Sequence, residues 1–181
     1  MQNVRHLVFA GGALKGISQV GFLHWAQHNL QADFASNHRN LQSITGVSIG
    51  ALTAVLLALR VGPSRLLYIL KNKLSLEDFF ATVPDFTVNP TTLLFGLENL
   101  GLDNGLRLRT YIDELIREET GYVSLTMDQL RRASHLDVMI GCTNLNNHSF
   151  LMLSADNVPT MRVTDVVAAS MCLPPVYQPT S

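Results

Sequence analysis

The pattern in this sequence that most directly offers chemistry is a serine between glycines, Gly46-Val47-Ser48-Ile49-Gly50. A serine hydroxyl is a weak nucleophile until it is exposed to a base and to donors that hold an oxyanion. G-x-S-x-G achieves that exposure when a strand precedes it and a helix follows. Here Leu41 to Thr45 reads as a short buried strand, and Ala51 to Leu59 as a buried helix. Gly46 and Gly50 remove the side chains that would collide with the crossing backbone. Ser48 would then stand at the strand end, near the positive end of the following helix. An ordinary Gly/Ser turn shares the pattern, but the flanking strand and helix favour a nucleophile elbow.

A second glycine-rich turn, Ala10-Gly11-Gly12-Ala13-Leu14-Lys15-Gly16, has a similar setting. Val4 to Phe9 before it suits a first buried parallel strand. The stretch after it, to about Leu30, places Leu14, Ile17, Val20 and Leu23 at helical spacing, with Phe22 and Trp25 alongside. Backbone N–H groups at a helix start favour an anion; glycine there also permits close strand–helix packing, and both readings stand. The turn matches neither of the common nucleotide-binding glycine patterns. In a parallel sheet, the strand ends that carry ligand-binding loops share one edge. The two turns are therefore expected to face each other, with N–H groups around Gly12 and Ala13 placed to receive the oxyanion formed when Ser48 attacks a carbonyl.

Other reactive residues fit less well. A Ser-His-Asp arrangement normally has several strands before the serine and a histidine late in the chain. Only His135 and His148 follow Ser48, and His148 sits in an asparagine-rich turn, so a triad is a poor fit. His24 and His28 have the i, i+4 spacing of helical zinc sites, but residue 25 is Trp and no third ligand is evident. A packed or solvated pair is expected. Lys15 suits either a phosphate or carboxylate of a substrate, or a plain helix surface. Phe22, Trp25 and Met127 are expected in the core, and Arg131-Arg132 at a solvated helix end.

The elements that must hold these residues come from a chain of 181 residues, which predicts one domain. A net charge of −1 with no basic run disfavours nucleic acid and a purely electrostatic membrane anchor. Charged residues are sparse at 15%, which leaves room for apolar binding surface. Cys142 and Cys172 are expected to be free buried thiols in a reducing compartment. The N-terminal stretch does not read as a signal peptide. The longest apolar run, around 49 to 59, is short of the roughly 20 residues a spanning helix needs. Gln31 to Asn40 reads as a loop, and Gly62-Pro63 should end the helix that follows Ser48. Further helices are expected over Ser64 to Leu74, over Leu106 to Glu119, from about Ser124, and to about Met171, the last capped by Thr164 or Asp165 and stopped by Pro174-Pro175. Leu136 to Cys142 and Ser149 to Leu153 read as strands of a hairpin across Asn144-Leu145-Asn146-Asn147. Residues 75–105 are apolar but irregular, and read as a substrate cover or as loops and short helices on the core.

The two turns together carry a resemblance to the patatin-like phospholipase family. Gly11-Gly12-Ala13-Leu14-Lys15-Gly16 resembles its oxyanion motif, with Ala13 at the third glycine, and Gly46 to Gly50 resembles its nucleophile motif. Gly101 to Leu108 and Ala168-Ala169-Ser170-Met171-Cys172-Leu173-Pro174-Pro175 are similar to two further segments of the family. The resemblance implies an α/β fold, a three-layer α/β/α sandwich with a mostly parallel central sheet. It implies hydrolysis of phospholipid or other acyl-ester lipid by a Ser–Asp dyad through an acyl-serine, with no histidine, metal or cofactor. The nucleophile would be Ser48, and Gly11, Gly12 and Ala13 would build the oxyanion hole. Contact with a lipid surface, from a cytoplasmic or peripherally membrane-associated protein, follows from that substrate. The family's aspartate lies in an Asp-Gly motif after the proline segment, and this sequence contains no Asp-Gly pair. Asp156 and Asp165 are the nearest carboxylates, and both read as loop or cap residues. The expectation is therefore a patatin-like domain cut before its aspartate and inert by itself. The rivals are a non-catalytic lipid- or partner-binding protein of the same fold and, further off, a Ser-His-Asp esterase.

Overall fold

A computed structural model describes residues 4–12, 15–30, 34, 40–74, 104–172 and 177. Strands β1 (His6–Phe9), β2 (Ser43–Val47) and β3 (Asp137–Asn144) are parallel neighbours, and β4 (Ser149–Leu153) closes the sheet antiparallel to β3. The architecture is α/β with a mostly parallel sheet, as expected, and the asparagine-rich turn does join a hairpin. Two asparagine side chains make that turn cheap: Asn144 Oδ1 accepts from the Asn146 N–H at 2.9 Å, and Asn147 Oδ1 from the Ser149 N–H at 3.1 Å.

The centre of the core is α2 (Ile49–Ala58), whose ten residues are all buried. No face of it is polar, so it must be wrapped on every side. It packs on β1, β2 and β3, on α3 (Pro63–Asn72), on α4 (Leu106–Thr120) and on α6 (Val163–Met171). Its one hydroxyl, Thr53 Oγ1, donates to the Ile49 carbonyl at 2.9 Å and so enters the core satisfied. Gly62 and Pro63 begin α3, with proline where a helical N–H would have no partner. Left-handed glycines bracket α4, Gly105 at φ 70° and Gly121 at φ 78°. A capping box of Thr126 and Gln129 starts α5 (Met127–Ser134).

Three expectations need correction. β1 is a strand but not a buried one: only Phe9 is buried, and Val8 is 74% exposed, because β1 lies at the edge of the described sheet. Phe22 and Trp25 are not core. On α1 (Gly16–Asn29) the buried stripe is Gly16, Val20, Leu23 and Ala26, and the two aromatic rings sit beside it, about half exposed, with centroids 6.0 Å apart. Neither Thr164 nor Asp165 caps α6, which starts after Arg162 with no side-chain cap. Both have tertiary partners instead. The Thr164 hydroxyl donates to Asp113 at 2.9 Å, and Asp165 accepts two hydrogen bonds from the Arg162 guanidinium.

Other expectations hold. Met127 is buried, and Arg131 and Arg132 sit towards the surface, paired with Asp128 and, for Arg131, also with Asp156. Cys142 and Cys172 are free thiols, as expected, but half-buried rather than buried. No described helix is long and apolar enough to cross a membrane. The possible cover over 75–105 falls outside the described residues except for Asn104 and Gly105, as do Ala13, Leu14 and Pro174-Pro175.

Candidate active site

Parallel pairing places the two glycine-rich turns side by side. Phe9 is in register with Gly46, so the chain leaves β1 and β2 at the same edge of the sheet. A Cβ added to Gly11 would lie 3.4 Å from Ser48 Cβ. A side chain at Gly11 would thus touch the serine, which places the turn close beside Ser48.

The elbow itself is packed to the limit. A Cβ on Gly46 would overlap the Gly50 carbonyl and lie 2.6 Å from the Ala51 N. A Cβ on Gly50 would overlap the Phe9 carbonyl and lie 2.8 Å from the Ala10 carbonyl oxygen. Both glycines are required because backbone, which cannot swing aside, occupies the space. Between them Ser48 has φ 56° and ψ −125°, a region side chains avoid at a cost on the order of 1–3 kcal/mol. Ser48 immediately precedes α2, whose first amides have no partner within the helix. Negative charge developing at Ser48 would therefore meet donors and the positive end of a helix dipole in a half-buried setting.

The first turn is held differently. The Gln19 side-chain amide clamps Ala10 from both sides, its Nε2 donating to the Ala10 carbonyl and its Oε1 accepting from the Ala10 N–H, each at 2.9 Å. The Lys15 N–H donates to the Gly12 carbonyl at 2.9 Å, which closes the turn. Gly16 opens α1 directly against the elbow, where a Cβ would lie 2.7 Å from Ile49 Cγ2. Gly11, Gly12 and Lys15 are exposed, so they are open to a ligand.

Ser170 is the residue that sequence reasoning left without a role. From the last turn of α6 its Oγ accepts the Ser48 N–H at 2.8 Å and donates to the Gly141 carbonyl at 2.6 Å. The signals were its place in the segment Ala168 to Pro175 that resembles the family's, and the small residues Ala168 and Ala169 before it. Cys142 lies beside this bridge. Burial pushes its thiol up to about 11, with the Ser170 hydroxyl pulling weakly the other way, so it is a poor nucleophile.

The remaining candidates stand apart from Ser48. His135 follows α5 at the opposite end of β3 from the elbow, and His148 is exposed in the hairpin turn. His24 and His28 pack edge to face with ring centroids 4.6 Å apart, and His24 Nδ1 shares a hydrogen bond of 3.1 Å with the Ser64 hydroxyl. Asp156 is paired with Arg131 at 2.6 Å, and Asp165 with Arg162 at 2.9 Å. Among the described residues no carboxylate or imidazole is hydrogen-bonded to the Ser48 hydroxyl, and no group of three potential metal ligands occurs.

Comparison with known proteins places this geometry. The model of one family, patatin-like phospholipase, matches residues 7–181. Uncharacterized protein R571 of Acanthamoeba polyphaga mimivirus is 26% identical over 177 residues, which cover 97% of this chain and 54% of that protein. The chain thus spans about half the length of this curated relative. Among solved structures, VipD from Legionella pneumophila is similar with a TM-score of 0.64 at 17% identity, covering 99% of this chain and 44% of that one. ExoU of the Pseudomonas aeruginosa type III secretion system, solved in complex with SpcU, gives 0.59 at 16% identity, covering 93% and 38%. These structures share the fold.

Proposed function

The chain belongs to the patatin-like phospholipase family, and from that premise we propose that it is a serine lipid acyl hydrolase of phospholipase A or esterase type, with Ser48 as nucleophile. The observation that carries the reading is the strained backbone of Ser48, φ 56° and ψ −125°, held at the sheet edge close beside the glycine-rich turn.

In this reading Ser48 Oγ attacks the acyl carbonyl carbon as its proton passes to a base. The carbonyl oxygen becomes an oxyanion, which backbone N–H groups of Gly12 and Ala13, with Ile49 at the start of α2, would stabilise. Collapse of the tetrahedral species expels the alcohol, which takes up the proton, and leaves an acyl-serine. Water then attacks that ester, and Ser48 is regenerated with release of the fatty acid. The base is proposed to be an aspartate outside these 181 residues, in line with a chain spanning 54% of its viral relative. Substrates of this class lie in lipid surfaces, so the working protein is proposed to contact membranes peripherally.

A fluorophosphonate probe on the full-length protein tests the nucleophile. Labelling should be abolished by Ser48→Ala, with ester hydrolysis reduced by about three orders of magnitude or more. His135→Ala and His148→Ala should leave activity within about twofold, as befits residues outside the reacting group. Wild-type protein that takes no label would instead mark a binding protein that keeps the fold without the chemistry.

A further inference from the structure

We propose that Ser170 is a positioning residue for the nucleophile, acting through the backbone of Ser48; the catalytic part of this proposal rests on the role given to Ser48 above. Sterics at Gly46 and Gly50 make room for the elbow but do not choose the orientation of the Val47–Ser48 peptide. A hydrogen bond to that peptide does. The Ser48 N–H donates to Ser170 Oγ at 2.8 Å. The Ser170 hydroxyl has one proton, and its donation to the Gly141 carbonyl at 2.6 Å fixes where the lone pairs point. They face Ser48.

The bridge ties three elements at one point. Ser170 is on α6, Gly141 is on β3 in register with Val47, and Ser48 joins β2 to α2. Gly141 leaves room for its strand neighbours at this point: a Cβ there would lie 2.9 Å from Val47 Cγ2 and 2.8 Å from the Phe150 ring. The Ser48 amide is also thereby committed. It cannot serve the oxyanion, so that task falls to the neighbouring amides. Ser170 touches neither the substrate nor the hydroxyl of Ser48, and its contribution is to hold a strained residue in its reactive pose.

The test uses full-length protein and reads both kinetics and the Ser48 amide. Ser170→Ala should lower kcat by about 10- to 100-fold with KM within about threefold, the signature of misplaced chemistry rather than lost binding. Fluorophosphonate labelling should slow in parallel. Ser170→Thr, which keeps the hydroxyl, should recover most of the rate. Hydrogen exchange at the Ser48 amide should be protected in the wild type and in Ser170→Thr, and at least about tenfold faster in Ser170→Ala. An unchanged kcat in Ser170→Ala overturns the proposal. So does a Ser48 amide that exchanges at free-loop rates in the wild type, a result that needs no variant to fold. Should the wild type show no esterase activity, the function assigned to Ser48 falls, and the exchange data alone decide whether Ser170 holds the elbow.

Discussion

The turns after β1 and β2 occupy equivalent places at the same sheet edge, yet they are fixed by different forces. The elbow at Gly46 to Gly50 is confined mainly by exclusion, since a Cβ at either glycine would meet main chain, and the Ser170 hydrogen bond orients the Ser48 peptide inside that space. The turn from Gly11 to Lys15 is held by attraction, through the Gln19 clamp on Ala10 and one backbone bond from Lys15 to Gly12, and only Gly16 at its far end is crowded, by the Ile49 side chain. A Cβ on Gly12 would meet only the Lys15 side chain at 3.4 Å, and Gly11 has nothing nearer than 3.4 Å. Under the proposed function the first kind of constraint falls on the nucleophile turn and the second on the oxyanion turn.

The largest effect should come from breaking the exclusion. Gly46→Ala forces a methyl group into the Gly50 carbonyl, and nothing flexible is available to yield. We expect a loss of more than about 4 kcal/mol, enough to abolish folding in a domain of ordinary stability. Urea denaturation or soluble yield would show it. A Gly46→Ala protein that folds with wild-type stability would mean that the elbow is looser than described.

The attraction should be easier to weaken. Gln19→Ala removes both hydrogen bonds to Ala10, groups close enough to the surface that water replaces part of what is lost. A destabilisation of about 1 kcal/mol is expected. Because Ala10 leads into the proposed oxyanion turn, kcat for an ester should drop by about 3- to 10-fold while Ser48 labelling survives. A variant with Gly46→Ala severity would show that the first turn is as rigid as the second, and would erase the distinction.

What the sequence made legible follows from the same distinction. Exclusion leaves a mark, because a crowded turn admits only glycine, and Gly46 and Gly50 could be read at once. The hairpin was legible because Asn144 and Asn147 bond within two residues of themselves. Attraction across the fold leaves little trace. Nothing in the local pattern ties Ser170 to Ser48, which is 122 residues away, and a glutamine in a helix does not announce that it clamps a loop. Thr164 and Asp165 look like caps, but Asp113 on α4 and the guanidinium of Arg162 are the partners they meet once folded. Phe22 and Trp25 misled because the buried stripe of α1 runs through Gly16, Val20, Leu23 and Ala26, and the largest side chains fell outside it.

The smallest effect tests whether either turn answers to acid. Neither is held by an ion pair among the described residues; the acid-sensitive clasp joins α3 to the end of α4. There Glu119, with a side chain only 5% exposed, accepts two hydrogen bonds of 2.7 Å from Arg65 and one of 2.9 Å from Lys73. The Arg65 hydrogen bonds dominate in lowering the Glu119 carboxyl from 4.5 to about 2, and Lys73 adds to them against the cost of burial. A carboxylate lowered on folding stabilises the fold above its unfolded pKa, and that stability is lost as pH falls through the folded value. The window is therefore from about pH 5 down to about pH 2. With Arg65 half exposed, screening holds the contribution to about 1–2 kcal/mol. Glu119→Gln should cost that amount at pH 7, and the gap in Tm from the wild type should close as pH approaches 2. The Ser48 amide should remain protected in acid until the whole domain unfolds, since its bonds to Ser170 and the glycines around it carry no titrating group. A Ser48 amide that opens in mild acid while Glu119→Gln keeps its full gap in Tm would place the acid sensitivity in the elbow, and exclusion with the Ser170 hydrogen bond would no longer account for its rigidity.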